Sequence, residues 1–298
     1  MNELQRAHRW DRVNRGMFAF SAAVVVFTIL AVVLFVGKQG LATFREVTPG
    51  SFFFSPRWSP TENQFGSLTF IVGSVATTTI AVVLAWPLGL ATAVFMVKLA
   101  PRAAREVVGH AIDLLVGIPS VVYGSVGLTV LVPWLRSHFG GAGFGLLAAA
   151  LVLAVMILPT IVGLSVSTLQ ALPGTLDEAA LALGATRWQS IWRVLLPAAR
   201  PGLMTAVVLA TARAAGEATA VQMVVGNTPL LPRAFVTPTA TLTSEIIVEM
   251  TTTPFGSTWN NALFLMSFLL LAMSLATILV LRWLGRGGQA PVRGGARA

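Results

Sequence analysis

A chain of 298 residues, 55% hydrophobic and 10% charged, with a mean hydropathy of +0.80, is far too apolar for a soluble domain, where about a quarter of the residues carry charge. The absence of cysteine rules out disulfides, thiol catalysis and cysteine-based metal sites, and His8, His110 and His138 stand too far apart for a ligand spacing. A net charge of +9 would suit nucleic acid, but the basic residues flank apolar runs, which assigns them to membrane topology instead.

Apolar runs of about 20 residues or more, enough to cross a hydrocarbon core of about 30 Å, occur at 17–36, 68–97, 114–135, 144–166, 203–225 and 262–281. They predict an all-α polytopic membrane bundle of six transmembrane helices. Before the first run, Arg6, Arg9, Arg12 and Arg15 recur every third residue. That spacing fits either a short helix lying on anionic headgroups or plain flanking charge. The run itself is too long for the apolar core of a cleaved signal peptide, and no small-x-small site follows it, so it reads as a retained span. Pro87 inside the second run predicts a kink or a tilt.

With a cytoplasmic N-terminus, that side receives Arg6, Arg9, Arg12, Arg15, Lys98, Arg102, Arg105, Arg187, Arg193, Arg200, Arg282, Arg286, Arg293 and Arg297, and the outside only Lys38, Arg45, Arg57, Arg136 and Arg233. This bias sets both termini inside. The chain divides into residues 1–66 (N-terminal segment, first span and outer loop), 67–284 (the transporter core) and 285–298. The outer segment 38–66, with Phe52, Phe53, Phe54, Pro56, Trp58 and Pro60, reads as an interfacial loop, and 227–261 carries X-Pro breaks and a short helix near 242–250. The Gly- and Arg-rich tail reads as disordered.

Between the fourth and fifth runs lies a polar stretch of twenty residues from Glu178, EAALALGATRWQSIWRVLLP. Ala179 to Leu183 favour helix, Gly184 breaks or bends it, and a second turn runs to Pro197. Glu178 suits the positive end of the helix. An interfacial amphipathic helix resting on lipid or on the bundle would also use these residues. The combination of EAA, a glycine at the sixth position after the Glu and a closing Val194-x-Leu196-Pro197 nevertheless resembles the EAA loop of ABC-importer permeases. In that family the loop is a cytoplasmic coupling helix seated in a groove of the ATPase, which assigns docking to Glu178, Ala179, Ala180, Gly184, Ala185, Thr186 and Arg187.

In the fifth run, Arg213 falls roughly 15 Å into a core of about 30 Å, and Glu217 follows one helical turn later. Spaced i, i+4 on one helix, the two side chains are expected to meet, which lowers the cost of burying them. They read either as a structural ion pair or as an anion path in which Arg213 offers forked donors to an oxyanion and Glu217 competes for the guanidinium. Met223 and Val224, with Val225 beside them and Asn227 beyond, form a candidate outer gate; a Met and Val stripe is also what ordinary packing uses.

RAxGE followed by AV and a Met223-Val224-x-Gly226-Asn227 ending is similar to the phosphate-specific permeases, nearer the PstC branch than its PstA partner. FGSLTFIVGS from Phe65, IPSVVYGSVGL from Ile118 and TLTSEI from Thr241 resemble the same family, over residues 65–284. Two stretches depart from it: Ala218-Thr219-Ala220, where the family often has Thr-Met-Ala, and SVSTLQALP, which lacks the charged residues often found there. Both bear on phosphate against another oxyanion.

The resemblance implies a type I ABC importer permease (MetI-like) fold in the cell membrane. It implies as partners a homologous PstA-like permease, a PstB-like ATPase dimer, a PstS-like extracytoplasmic phosphate-binding protein and membrane lipids. No cofactor is expected on this chain: ATP and magnesium belong to the ATPase, since neither Lys38 nor Lys98 sits in a G-x-x-x-x-G-K-[ST] context. No Ser/His/Asp grouping, H-E-x-x-H or second intramembrane carboxylate supports an enzyme. The rival readings are a permease for sulfate, molybdate or another oxyanion, and an ion-coupled secondary transporter using Arg213 and Glu217 as a proton-linked pair. The latter has no use for an EAA loop.

Overall fold

The computed structural model describes residues 2–286, with side chains from residue 14 to residue 283. The expected disordered tail lies, from residue 287 on, outside the described residues. So do the side chains of Arg6, Arg9, Arg12 and Arg286, and Arg293 and Arg297 altogether. Helix α1 (Asn2–Leu41) carries the arginine-bearing segment into the first span without a break, so no separate headgroup helix precedes it. Next come α2 (Pro49–Phe54), the two-stranded hairpin β1 (Trp58–Ser59) and β2 (Gln64–Phe65), and α3 (Leu68–Val94). Helix α3 runs through Pro87 unbroken and finishes in a wide π turn, Phe95–Leu99.

The third apolar run is where the sequence misleads. Pro119 disfavours a helical conformation at Ile118, and Ile118 is extended (φ −73°, ψ 125°). The chain therefore bends by 97° between α4 (Arg102–Gly117) and the helix that follows, whose parts are α5 (Ser120–Val126), a π turn (Gly127–Leu131) and α6 (Val132–Phe139). The expected span over 114–135 thus starts at Ser120, and α4 is an amphipathic helix with no buried residue. Tyr123 Oη donates to the Leu115 carbonyl (2.8 Å), which ties the two sides of the bend together.

Helix α7 (Leu146–Gln170) follows, then α8 (Thr175–Ala182) and α9 (Arg187–Ser190). A third π turn, Ile191–Leu195, joins α9 to α10 (Leu196–Gly216), so Pro197 falls in the first turn of a continuing helix, where its missing N–H is harmless. The short α11 (Thr219–Val224) and α12 (Leu242–Met250) precede the last span, α13 (Thr258–Arg286). Among the described residues five helices are long and apolar enough to cross a membrane, and the bent α4–α6 pair makes six if it is counted as one span.

Helix α7 is the centre of the bundle. Its Leu153, Ile157 and Ile161 are fully buried against α3, α10 and α11. Small residues set the spacing, as expected where lipid offers no hydrophobic drive. A Cβ on Gly89 of α3 would lie 2.6 Å from Ile161, and one on Gly40 of α1 2.7 Å from the backbone of Leu265 on α13. The segment expected to be an interfacial loop is instead packed. Phe52, Trp58, Phe65 and Phe70 are buried in an aromatic cluster with Leu263 and Met266 of α13, and Trp58 sits edge-on to both Phe65 and Phe70. Burying that much aromatic area favours a fixed cap over a loose loop.

Candidate functional site

Arg213 lies in the last turn of α10, and its Nη1 donates to Thr160 Oγ1 (2.9 Å), a little past the middle of the 25-residue α7. The guanidinium therefore lies level with the middle of α7. It is exposed on the face where α5 and α7 meet, with Tyr123 nearby.

The expected i, i+4 pair does not form. Helix α10 stops at Gly216, and Glu217 is extended (φ −73°, ψ 125°), which turns its side chain away from the α10 face. Its Oε1 accepts the backbone N–H of Ala220 (3.2 Å) and so supports the start of α11. Among the described residues the ion pairs are Lys98–Asp177 and Arg102–Glu106, and neither involves this site. Glu217 instead borders a recess of ≈ 10 Å³ that is also lined by Ser74, Thr77, Thr78, Thr241 and Thr243. That is room for about one water. The broken helix thus sends the cation to one side and the carboxylate to another, and the hydroxyls around them come from α3, α7 and α12. Sequence reading missed Thr160 and Thr77, because threonines in apolar runs are common and nothing local marks these, and it met Thr241 only as the start of the TLTSEI stretch.

The candidate gate divides. Val224 is fully buried in the core, whereas Met223 is half-buried, with its sulfur where a Cβ on Gly124 of α5 would fall (2.6 Å). Asn227 has a left-handed backbone (φ 45°) that asparagine tolerates. Its Nδ2 donates to the Gln222 carbonyl (2.8 Å), and its buried Oδ1 has no partner.

The EAA stretch folds as two short helices. Gly184 closes α8 with φ +80°, the left-handed conformation that favours glycine. Its N–H donates to Leu181 O (3.0 Å) and that of Ala185 to Ala180 O (3.1 Å), the paired bonds of a Schellman end. Thr186 and Gln189 then cap α9 reciprocally, side chain to backbone in both directions. Ala180 is buried, whereas Glu178, Ala179, Thr186 and Arg187 are exposed. So are Leu183 (90%), Trp188 (59%) and Trp192 (54%), a concentration of large apolar side chains around the α8–α9 turn and the start of the helix that follows.

At the opposite end, α12 carries a second acidic site that sequence reading did not foresee. Glu245 is buried, with Glu249 one turn on along α12. Glu249 Oε2 accepts from the indole N–H groups of Trp259 (2.6 Å) and Trp58 (3.0 Å). Burial first, then the Glu249 charge, pushes the Glu245 carboxyl up to about 9.

Residues 85–286 match the family described as binding-protein-dependent transport system inner membrane component. The probable ABC transporter permease protein YqgH of Bacillus subtilis (strain 168) is 47% identical over 280 residues, covering 92% of this chain and 91% of that protein. The phosphate transport system permease protein PstC of Xylella fastidiosa (strain Temecula1) is 35% identical over 289 residues, covering 87% and 86%. Among solved structures, a chain of a bacterial alginate ABC transporter, crystallised with its alginate pentasaccharide-bound periplasmic protein, superposes with a TM-score of 0.66 at 14% identity, over 95% of this chain and 99% of that one.

Proposed function

The chain belongs to the family of binding-protein-dependent transport system inner membrane components, and from that premise we propose that it forms the membrane path of an ATP-driven importer of inorganic phosphate, together with a homologous second permease. The observation that carries the solute is Arg213. A guanidinium level with the middle of α7, held by a hydroxyl and, among the described residues, without a carboxylate within ion-pair distance, is a costly arrangement unless an anion meets it. Its planar fork suits a tetrahedral oxyanion. Glu217 faces its own hydroxyl-lined recess and so leaves the cation unquenched. Met223 and Asn227 stand at the outer side as gate residues, and the buried Val224 fixes the helix behind them.

Leu183, Trp188 and Trp192 support the α8–α9 loop as the surface that an ATPase dimer covers, because a cluster of exposed large apolar side chains, tryptophan among them, beside a polar, capped turn is characteristic of an interface. ATP and magnesium reside on that ATPase, and an extracytoplasmic binding protein delivers phosphate. The α8–α9 loop and both termini are cytoplasmic, with α12 and the aromatic cap outside. Cysteines placed at the exposed Thr186 and Thr61 test that orientation: an impermeant thiol reagent labels the latter alone in intact cells, and the reverse pattern overturns it.

Reconstitution with the partner permease, ATPase and binding protein in proteoliposomes tests the function. Phosphate uptake requires ATP, and Arg213→Gln abolishes it while the complex still assembles. Because the two charges are not paired, adding Glu217→Gln does not restore it. Uptake without ATP, or normal uptake by the Arg213→Gln complex, would defeat the reading.

A further inference from the structure

One carboxylate holds the α8–α9 loop to the bundle. Asp177, in the first turn of α8, accepts a hydrogen bond at Oδ2 from Lys98 Nζ (2.9 Å) and at Oδ1 from Ser190 Oγ (2.6 Å). Lys98 belongs to the π turn that ends α3, and Ser190 is the fully buried last residue of α9. A single side chain therefore joins both halves of the loop to one transmembrane helix. The Ser190 hydroxyl, with the Lys98 ammonium, holds the Asp177 carboxyl below its usual range, so the clamp stays charged. Val94, Leu169, Ile191 and Leu195 pack in an apolar cluster close by.

We propose that Asp177 is the positioning residue that transmits movement of the α8–α9 loop to α3. The proposal rests on reading that loop as the ATPase-docking surface. Helix α3 suits the receiving role because its far end bears directly on α12. A Cβ on Gly73 would fall 2.2 Å from the Ala240 carbonyl, and Ser74 Oγ accepts the Leu242 N–H (2.9 Å). Displacement at Lys98 is thereby delivered along a 27-residue helix to the start of α12. The residues that face the ATPase, Leu183, Trp188 and Trp192, make no use of Asp177. Its loss therefore leaves docking intact and lets the loop slip against α3.

The test uses the full reconstituted complex and three readings: ATPase co-purification, ATP hydrolysis, and phosphate taken up per ATP. Asp177→Ala keeps the first two and lowers the third by roughly tenfold, the scale of a typical coupling between sites. Since the chain has no native cysteine, Lys98→Cys with Asp177→Cys provides a second arm. Joining the pair with a short bis-thiosulfonate linker restores uptake per ATP, and reduction abolishes it again. If the Asp177→Ala complex is not recovered, the linked and unlinked cysteine pair decides in its place. Normal uptake per ATP in Asp177→Ala, or uptake blocked by the linker, overturns the proposal. Failure of the unaltered chain to retain any ATPase overturns the docking reading itself, which is a different outcome.

Discussion

Where α3 ends at Lys98, it is fastened by an ion pair whose two side chains are 24% and 28% exposed. Beside Ser74, at its other end, it meets α12, whose Glu245 is buried and whose Glu249 is held by two indole donors at the aromatic cap. The inner fastening is charged, hydrated and adjustable, because water can replace either partner at small cost. The outer one is more buried and directional, and the Trp58 indole left unpaired there has no ready substitute. A helix so mounted resembles a lever, set firmly at the outer end and driven at the inner one.

The sharpest way to break this contrast is truncation at each end. Glu249→Ala strands the buried Trp58 indole donor and the half-buried Trp259 one, and is expected to cost about 2 kcal/mol or more of stability. Asp177→Ala is expected to cost about 1 kcal/mol or less. Thermal unfolding in detergent measures both, and equal losses would remove the distinction.

Proton dependence separates the ends next. Because the Glu245 carboxyl is raised from its ordinary 4.5 to about 9 on folding, the folded state holds the extra proton across that interval. Stability therefore falls as the pH rises from 4.5 through about 9. The neighbouring elements α3 and α11 carry no ionisable side chain that would offset this. Helix α13 carries only Arg282 and Arg286, near its far end, and Arg57 and Glu62 of the cap are exposed. Glu245→Gln should flatten the profile. Asp177, with its carboxyl lowered, contributes above its ordinary value of 3.8 and loses that contribution only as the pH falls through its folded value, so the inner clamp stays constant over the same interval.

Salt is the gentler probe. Raising ionic strength from about 0.1 M to about 1 M shortens the screening length from about 10 Å to about 3 Å. Phosphate uptake per ATP should fall roughly twofold while the outer cap keeps its unfolding temperature. The smallest expected effect is at Gly184, where a Cβ meets nothing within 4 Å and only the backbone conformation is at stake. Gly184→Asn should retain ATPase co-purification, and Gly184→Val should lose about 1 kcal/mol of loop stability and bind the ATPase more weakly. Equal behaviour of the two would mean that the partner's groove, and not the left-handed turn, selects glycine.

Much of this was legible in the chain. The helix 242–250 appears where the X-Pro breaks leave room for it, and Gly184 interrupts the EAA stretch as its position implied. What failed did so where one residue overrides a long apolar pattern. Pro119 dictates an extended Ile118 and a right-angled bend that hydropathy cannot register. Glu217 stops α10 by serving the start of α11, which separates a pair that spacing alone would join. The aromatic cap and the Asp177 clamp were hidden for another reason. Their partners are far apart in sequence, Trp58 with Glu249 and Lys98 with Asp177, and such contacts exist only once the bundle has assembled.

Two of the wide turns, Gly127–Leu131 and Ile191–Leu195, have α-helix on both sides. An i→i+5 turn is an α turn holding one residue too many. Removing one residue there restores the ordinary ladder with both flanks still in phase, whereas the same deletion elsewhere swings everything beyond it by about 100°. In these two spans the chain carries slack of one residue each, so its length in residues is not dictated by the thickness of the bilayer. A single-residue deletion scan through either span should show one tolerant window, located at the wide turn.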